Sequence, residues 1–144
     1  MTIISKSALV TYSPEQMFKL VDDIEAYSDF LPWCGKATEL FRDESNVEAS
    51  LLISHSGLNK EFTTRNKNTQ SEKIEMHLVN GPFKNLDGVW LFEPLGDTAC
   101  KVSLNLEFEF SSKLIGLTLG PVFSKIANSL VDAFIKRAEV VYGQ

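Results

Sequence analysis

The chain has 144 residues, enough for one domain with a sizeable apolar core that needs no disulfide or metal to hold it. It carries 14 Lys and Arg against 19 Asp and Glu, which gives a formal charge of −5 at pH 7. This acidic balance excludes a broad electrostatic grip on nucleic acid, so we expect no DNA partner, although a local basic patch stays compatible with it.

The first part of the chain predicts one strand followed by two short helices. β-Branched and small residues at 3–10 indicate the strand. Ser13, Pro14 and Gln16 then form the pattern of a capping box, and helical apolar spacing continues until Pro32 stops it. We place the helices at about 14–24 and 26–31. The carboxylates at 22–29 are interpreted as solvated helix surface.

From residue 33 to residue 110 apolar residues alternate with polar ones, which indicates an antiparallel meander of five or six strands. The clearest alternation runs from Cys100 to Phe110, where the even positions are apolar and the odd positions are almost all polar. Gly88 lies inside one strand pattern and predicts a bulge or bend where the sheet curves.

The C-terminal part returns to helical periodicity and predicts an amphipathic helix of about 20 residues that begins near Phe123. The segment before it contains two glycines and Pro121, so we expect a loose turn or kinked start over 114–121. The longest uncharged apolar stretch, 114–123, is half of the roughly 20 residues that a membrane-spanning helix needs. We therefore expect no membrane span and, since residues 1–10 lack a secretory pattern, a cytoplasmic location.

Residues that could perform catalysis form no recognisable pattern. Cys34 and Cys100 stand apart and are expected to be reduced thiols, and His55 and His77 have no partner at a metal-ligand or catalytic-triad spacing. Glycine-rich phosphate loops, nucleophile elbows and zinc motifs do not occur in the sequence. We expect a non-enzymatic protein with no metal and no required cofactor.

Aromatic and aliphatic residues on the predicted inner face are the first candidate site. A long helix across a curved sheet leaves a gap, and apolar gaps of this kind bind hydrophobic small molecules. The alternative is a plain packed core. The candidate ligand-binding residues are Phe62, Met76, Trp90, Phe92, Leu104, Leu106, Phe108, Phe123, Ile126, Leu130 and Phe134.

Two further surfaces follow from composition. Leu114, Leu117, Leu119 and Val122 would contact a bilayer peripherally if they were exposed; the alternative is the buried start of the last helix. The second surface is basic and would contact RNA, and its alternative is a polar edge hairpin. Its residues are Lys60, Arg65, Lys67 and Lys73.

The order of elements resembles the helix-grip fold of START-like (SRPBCC) proteins, an α+β fold in which a curved antiparallel sheet wraps a long C-terminal helix. Three segments resemble the family of RatA ribosome-association toxins and coenzyme-Q-binding proteins. They are the Val10-Thr-Tyr-Ser-Pro-Glu-Gln-Met-Phe18 block, the Leu20-Val-Asp-Asp-Ile-Glu-Ala-Tyr27 block and the Phe30-Leu-Pro-Trp-Cys34 block. Asn80-Gly-Pro-Phe83, Gly88-Val-Trp90-Leu-Phe92 and the 130–138 segment agree with this resemblance, which spans residues 1–144 as one domain.

The resemblance implies an apolar cavity and one of two roles. In the first, the protein binds ubiquinone or a similar polyprenyl lipid, supports respiration and touches the inner membrane through the 114–123 segment. In the second, it binds the large ribosomal subunit, blocks subunit association and inhibits translation. The aromatic residues favour the lipid role because rings and isoprenoid chains are recognised by area and π contacts rather than by charge.

Overall fold

The computed structural model describes residues 2–55 and 57–143. Its elements, in chain order, are β1 (Thr2–Val10), α1 (Pro14–Asp22), a 3-10 turn (Ile24–Ala26), α2 (Tyr27–Phe30), β2 (Cys34–Arg42), β3 (Asn46–His55), β4 (Leu58–Thr69), β5 (Lys73–Asn80), β6 (Phe83–Leu95), β7 (Ala99–Phe110) and α3 (Lys113–Tyr142).

The seven strands form one antiparallel sheet in the order β1-β7-β6-β5-β4-β3-β2. Strands β2 to β7 form the predicted meander. Strand β1 lies at one edge of the sheet and pairs with β7. The sheet is curved and α3 lies across it, so the α+β helix-grip fold is confirmed. Alternation along β7 is also confirmed, because Cys100, Val102 and Leu104 are fully buried on the inner face.

Helix α1 starts as its sequence predicts. The Gln16 amide N–H donates to Ser13 Oγ at 3.1 Å, and the Ser13 amide N–H donates to Gln16 Oε1 at 2.9 Å, which completes the capping box. Buried residues of α1 are Met17, Phe18, Leu20 and Val21. These side chains fix α1 against one end of the sheet.

One of the acidic residues in the helical corner is not merely solvated surface. Arg42 Nη1 lies 3.0 Å from Asp22 Oδ2, and its Nη2 donates to Asp22 Oδ1 at 3.2 Å and to Glu39 Oε1 at 2.8 Å. Asn68 Nδ2 also donates to Asp22 Oδ1 at 2.9 Å. Asp22 therefore joins the end of α1 to β2 and β4 by charge-assisted hydrogen bonds.

Helix α3 corrects two predictions, because it runs unbroken for 30 residues and includes the segment expected to be a loose turn. Ser112 Oγ caps it by accepting from the Ile115 amide at 3.2 Å. Gly116 and Gly120 do not break the helix, and each lies beside the Phe110 ring, where a Cβ would make an ordinary contact at 3.6 Å. Pro121 is exposed, so water can reach the helix face where its missing N–H leaves a carbonyl free.

The inner face of α3 explains its apolar character. Its length and composition would suffice to cross a membrane, with a mean hydropathy of 1.4 over 18 residues. The buried side chains recur every three or four positions and belong to the same core as the sheet. They are Leu119, Phe123, Ile126, Ala127, Val131, Phe134 and Ala138.

The C-terminal end of α3 is held by a pair of tyrosines. The Tyr12 hydroxyl donates to the Gly143 carbonyl at 2.9 Å, and the Tyr142 hydroxyl donates to the Gln16 carbonyl at 2.9 Å. The two rings also contact each other, with centroids 5.9 Å apart. This tyrosine clasp attaches the end of α3 to the junction between β1 and α1.

Gly88 is not at a bulge, so the first of the two predicted alternatives, a bulge or a bend, is wrong. Its register is continuous on both sides, opposite Met76 in β5 and Leu106 in β7. A Cβ at this position would lie 2.7 Å from Met76 Cε and 2.9 Å from Leu106 Cδ1. A side chain here would therefore force the ends of the Met76 and Leu106 side chains to move, and glycine leaves them the space that they occupy.

Gly81, in the turn between β5 and β6, should tolerate no side chain. Its φ is +151°, and a Cβ would lie 2.6 Å from Phe62 Cβ and 3.2 Å from Phe62 Cα. We expect Gly81→Ala to lower the free energy of unfolding in urea by about 2–3 kcal/mol. Gly96→Ala is the matched control, since φ is +67° there but no atom lies within 4 Å, and it should cost about 1 kcal/mol. Equal losses in the two variants would contradict the steric argument.

Candidate functional site

An apolar cavity lies between α3 and the inner face of the sheet. Its volume is about 80 Å³. Nine of the eleven residues proposed from the sequence as ligand-binding line it. They are Phe62, Met76, Trp90, Leu104, Leu106, Phe123, Ile126, Leu130 and Phe134.

The other two, Phe92 and Phe108, lie on the inner face but outside the cavity lining. Phe92 packs edge-on against Phe18 of α1, with ring centroids 5.7 Å apart. Phe108 packs against Phe83 and Phe123, at 6.3 Å and 4.8 Å. Strand alternation predicted their side of the sheet, but the helix that covers each position decides whether a gap remains. These two side chains therefore belong to the packed core and not to the cavity wall.

Sequence reasoning missed nine lining residues. Some come from the helical corner and the turn after it, others are apolar or polar side chains on the inner face of the sheet, and one lies on α3. They are Ile24, Tyr27, Trp33, Ala49, Leu51, Thr64, Asn66, Leu86 and Ala127. The parity of β4 could have identified Thr64 and Asn66, because they share the face of Phe62.

Aromatic contacts across the cavity keep it narrow. Phe134 of α3 meets Trp90 at 5.4 Å and Tyr27 at 5.3 Å between ring centroids, both nearly perpendicular. Phe123 meets Phe62 at 6.0 Å in the same way. The resulting volume is well below the roughly 300–1,000 Å³ of pockets that hold drug-sized ligands. A small molecule could enter as the cavity stands, whereas a larger one would need α3 to move from the sheet.

Three polar side chains interrupt the apolar lining. The Thr64 hydroxyl donates to Asn66 Oδ1 at 3.0 Å, and both residues are more than nine-tenths buried. Tyr27 donates its hydroxyl to the Val21 carbonyl. Burial raises the pKa of Tyr27 far above its usual value, and the nearby Asp22 adds to the increase, so the phenol stays neutral. The cavity thus contains hydrogen-bonding groups but no charge.

The thiols and imidazoles lie outside the cavity. Cys34 and Cys100 are free and buried, and burial raises the pKa of Cys100 to about 11, which disfavours the nucleophilic thiolate. His77 Nδ1 lies 2.8 Å from Asp87 Oδ1 on the outer face of the sheet, where both are exposed. Among residues 2–55 and 57–143, His, Cys, Asp and Glu form no group that could hold a metal ion.

The proposed membrane-contact residues do not share one environment. Leu114 and Leu117 are 73% and 76% exposed and lie three residues apart on α3. Leu119 is completely buried and Val122 is half-buried, so neither is available at the surface as the sequence reasoning required. The regular helix explains the difference, since it turns Leu119 by about 200° from Leu117 toward the core.

The four basic residues do not form one continuous patch. Arg65 and Lys67 are exposed on the outer face of β4, two residues apart. Arg65 lies 3.7 Å from Glu48, and Lys73 lies 3.6 Å from Glu75. Lys60 is exposed near the other end of β4. Contact of these residues with RNA stays a prediction, with Arg65 and Lys67 as its most accessible pair.

Comparison with known proteins identifies the family. The sequence profile of the polyketide cyclase / dehydrase and lipid transport family matches residues 10–135. The ribosome association toxin RatA of Vibrio cholerae is 49% identical over 141 residues, covering 98% of both chains. RatA of Pseudomonas aeruginosa is 45% identical over 99% of both. The mitochondrial coenzyme Q-binding protein homolog B of Xenopus laevis is 27% identical over 97% of this chain and 59% of its own length.

Solved structures share the fold. An 18 kDa protein from Caulobacter crescentus is 32% identical over the whole of both chains, with a TM-score of 0.76. The Zhui aromatase/cyclase from Streptomyces is 16% identical, covers 96% of this chain and 93% of its own, and has a TM-score of 0.82, a likeness of fold alone. The chain therefore belongs to the polyketide cyclase / dehydrase and lipid transport family, and within it to the group that contains the RatA ribosome association toxins.

Proposed function

We propose that this chain binds the large ribosomal subunit, keeps it from joining the small subunit and so inhibits translation. The observation that carries the proposal is the identity of 45–49% to chains named ribosome association toxin, over 98–99% of both lengths. The proposed role requires binding surfaces but no catalytic group, and we place the protein in the cytoplasm.

Sedimentation of ribosomes tests this proposal directly. Expression of the chain should increase the separate subunit peaks in a sucrose gradient at the expense of intact ribosomes, and the chain should travel with the large subunit. A purified sample added to separated subunits should also slow their reassociation. An unchanged ribosome profile with the chain remaining at the top of the gradient would contradict the proposal.

The outer face of β4 is the surface that we expect to contact RNA. Changing Arg65 and Lys67 together to Glu should weaken co-sedimentation with the large subunit by about tenfold or more, because two attractive charges become repulsive. The matched control changes exposed Lys125 and Lys136 of α3 to Glu, which alters the net charge equally. Equal loss in both double variants would mean that net charge, rather than this surface, governs binding.

A second role, binding of a hydrophobic small molecule, is favoured by the cavity itself. Its apolar lining, which includes Trp90, Phe123 and Phe134, can contact both the ring and the hydrocarbon chain of such a molecule. One relative's name, a coenzyme Q-binding protein, makes ubiquinone or a similar polyprenyl lipid the first candidate. The ring of such a lipid needs more than 80 Å³, so we expect α3 to move outward when it binds.

Organic extraction of protein purified from respiring cells, followed by mass spectrometry, tests the lipid role. A polyprenyl quinone should be recovered in a fixed ratio to the protein. Protein that carries no lipid and takes none up from quinone-containing vesicles would contradict this role. The gradient experiment is independent of it, so either role can fail alone.

Lipid exchange would also require a peripheral contact with the membrane. We assign this contact to Leu114 and Leu117, since they are exposed on the first turns of α3. Changing both to Glu should abolish flotation with liposomes while circular dichroism and thermal unfolding stay unchanged. Flotation equal to that of the unaltered chain would place the membrane contact elsewhere.

A further inference from the structure

The side-chain amide of Asn66 presents a hydrogen-bond donor to the cavity. Asn66 is 6% exposed and lies on the inner face of β4, opposite Met76 of β5. Its Oδ1 accepts from the Thr64 hydroxyl at 3.0 Å, which fixes the orientation of the amide. Its Nδ2 donates to no other residue in the described ranges 2–55 and 57–143.

The amide nitrogen is not fully enclosed by protein atoms. Among the described residues, Oδ1 of Asn68 is the one fully enclosed side-chain polar atom without a partner. The unpaired Nδ2 of Asn66 is therefore not sealed in the core, and Asn66 itself lines the cavity. A buried donor without a partner is costly, so a ligand that supplies an acceptor here gains a hydrogen bond that apolar contact alone cannot provide.

We propose that Asn66 is the specificity-determining residue of the cavity, and that the cavity selects an apolar molecule with an uncharged carbonyl oxygen that accepts from Asn66 Nδ2. The class follows from the lining of the described residues: its donors without a partner are the Asn66 amide and the indole N–H groups of Trp33 and Trp90, no side chain in it is charged, and the other walls are mostly apolar. A carboxylate would be disfavoured because no cation lies in the lining to compensate its burial. This inference rests on the proposed binding of a hydrophobic molecule, and it names the chemistry of the recognised group.

A pair of small probes isolates this hydrogen bond. Indane and 2-indanone have nearly the same shape and differ by one carbonyl oxygen in place of two hydrogens. Each is larger than the 80 Å³ cavity, so both need the same outward movement of α3, and its cost cancels when their dissociation constants are compared. Trp33 and Trp90 both line the cavity and are the two tryptophans of the chain, so their indole N–H signals report occupancy by either probe. The side-chain NH₂ signals of Asn66 report the hydrogen bond itself.

Titration of ¹⁵N-labelled protein with each probe gives two dissociation constants. We expect the preference for 2-indanone over indane to fall about three- to tenfold in Asn66→Leu. Asn59→Leu is the matched control, because it makes the same change on β4 at an exposed position outside the cavity lining and should leave the preference within about twofold. In the unaltered protein, the Asn66 NH₂ signals should shift with 2-indanone and stay nearly fixed with indane.

Two outcomes would overturn the inference in distinguishable ways. If both probes bind and Asn66→Leu leaves their preference unchanged, the cavity binds small molecules without recognition by Asn66. If neither probe moves the tryptophan signals, the proposed binding of a hydrophobic molecule fails together with the inference. Even if the leucine variant does not fold, the Asn66 signals of the unaltered protein show whether Asn66 recognises the carbonyl group.

Discussion

Replacing Leu119 by Glu should unfold the domain, whereas the same change at Leu117 should leave it folded. Leu119 has no exposed surface and lies in the core, while Leu117 is 76% exposed on the opposite side of α3. A carboxylate at position 119 would lose its hydration without gaining a partner, and the leucine's apolar contacts would also be lost. We expect a loss of about 5 kcal/mol or more in the free energy of unfolding, because the two costs add, and this reaches the lower end of the roughly 5–15 kcal/mol that stabilises a domain.

Urea unfolding followed by circular dichroism measures both variants. Leu117→Glu should stay within about 0.5 kcal/mol of the unaltered chain, since exposed substitutions away from special features cost little. A folded Leu119→Glu variant with near-normal stability would mean that the first turns of α3 detach from the sheet. In that case the 114–123 segment would be free to meet a membrane, as its apolar composition first suggested.

Truncation of Phe134 to alanine should cause the second large effect, a loss of about 3–5 kcal/mol. Phe134 is 1% exposed and joins three elements through edge-on ring contacts, to Tyr27 and Phe30 at 5.3 Å and to Trp90 at 5.4 Å. The alanine would remove the apolar contacts of the ring and leave a cavity beside the one already present. Thermal or urea unfolding gives the value directly.

Val140→Ala is the control for this truncation, because Val140 lies on the same helix and is 74% exposed. Its effect should stay within about 0.5 kcal/mol. A loss below about 2 kcal/mol in Phe134→Ala would show that the neighbouring rings collapse into the vacated space. That result would also mean that the cavity adapts readily, which would support entry of ligands larger than its present volume.

Much of the fold could be predicted because local signals and the tertiary structure agree. Ser13 and Gln16 form the capping box that their spacing indicates. The strict alternation of apolar and polar residues in β7 predicted one buried face, and that face is fully buried at Cys100 and Val102. Apolar residues recur at every second position in a half-buried strand and at every third or fourth position in an amphipathic helix. Both patterns reflect which side chains are buried in the fold.

The exceptions arise where a position is decided by a neighbour distant in sequence. Gly88 is a packing glycine because Met76 and Leu106 approach it from two other strands. The two glycines of α3 predict a break in the helix, but the helix continues through them, and the Phe110 ring lies beside both. Local reasoning assigns glycine and proline to turns, and it has no access to contacts of this kind.

The cavity could be predicted in kind but not in composition. Its aromatic walls follow from the alternation of the strands and the periodicity of the helix. Thr64 and Asn66 share the face of Phe62, but as polar strand residues they give no sign in the sequence that they are buried. Their burial depends on how far α3 extends over the sheet. Its narrow volume likewise depends on the side-chain conformations of Trp90, Phe123 and Phe134, which no pattern in the sequence specifies.

The position of β1 has a consequence for biosynthesis. β1 is made first but pairs only with β7, and the tyrosine clasp joins residues 131 and 126 positions apart. β1 therefore has no strand to pair with until β7, residues 99–110, has been synthesised, and the clasp needs Tyr142 and Gly143 as well. Contacts between residues so far apart in sequence are slow to form, and a truncation within α3 would remove the clasp.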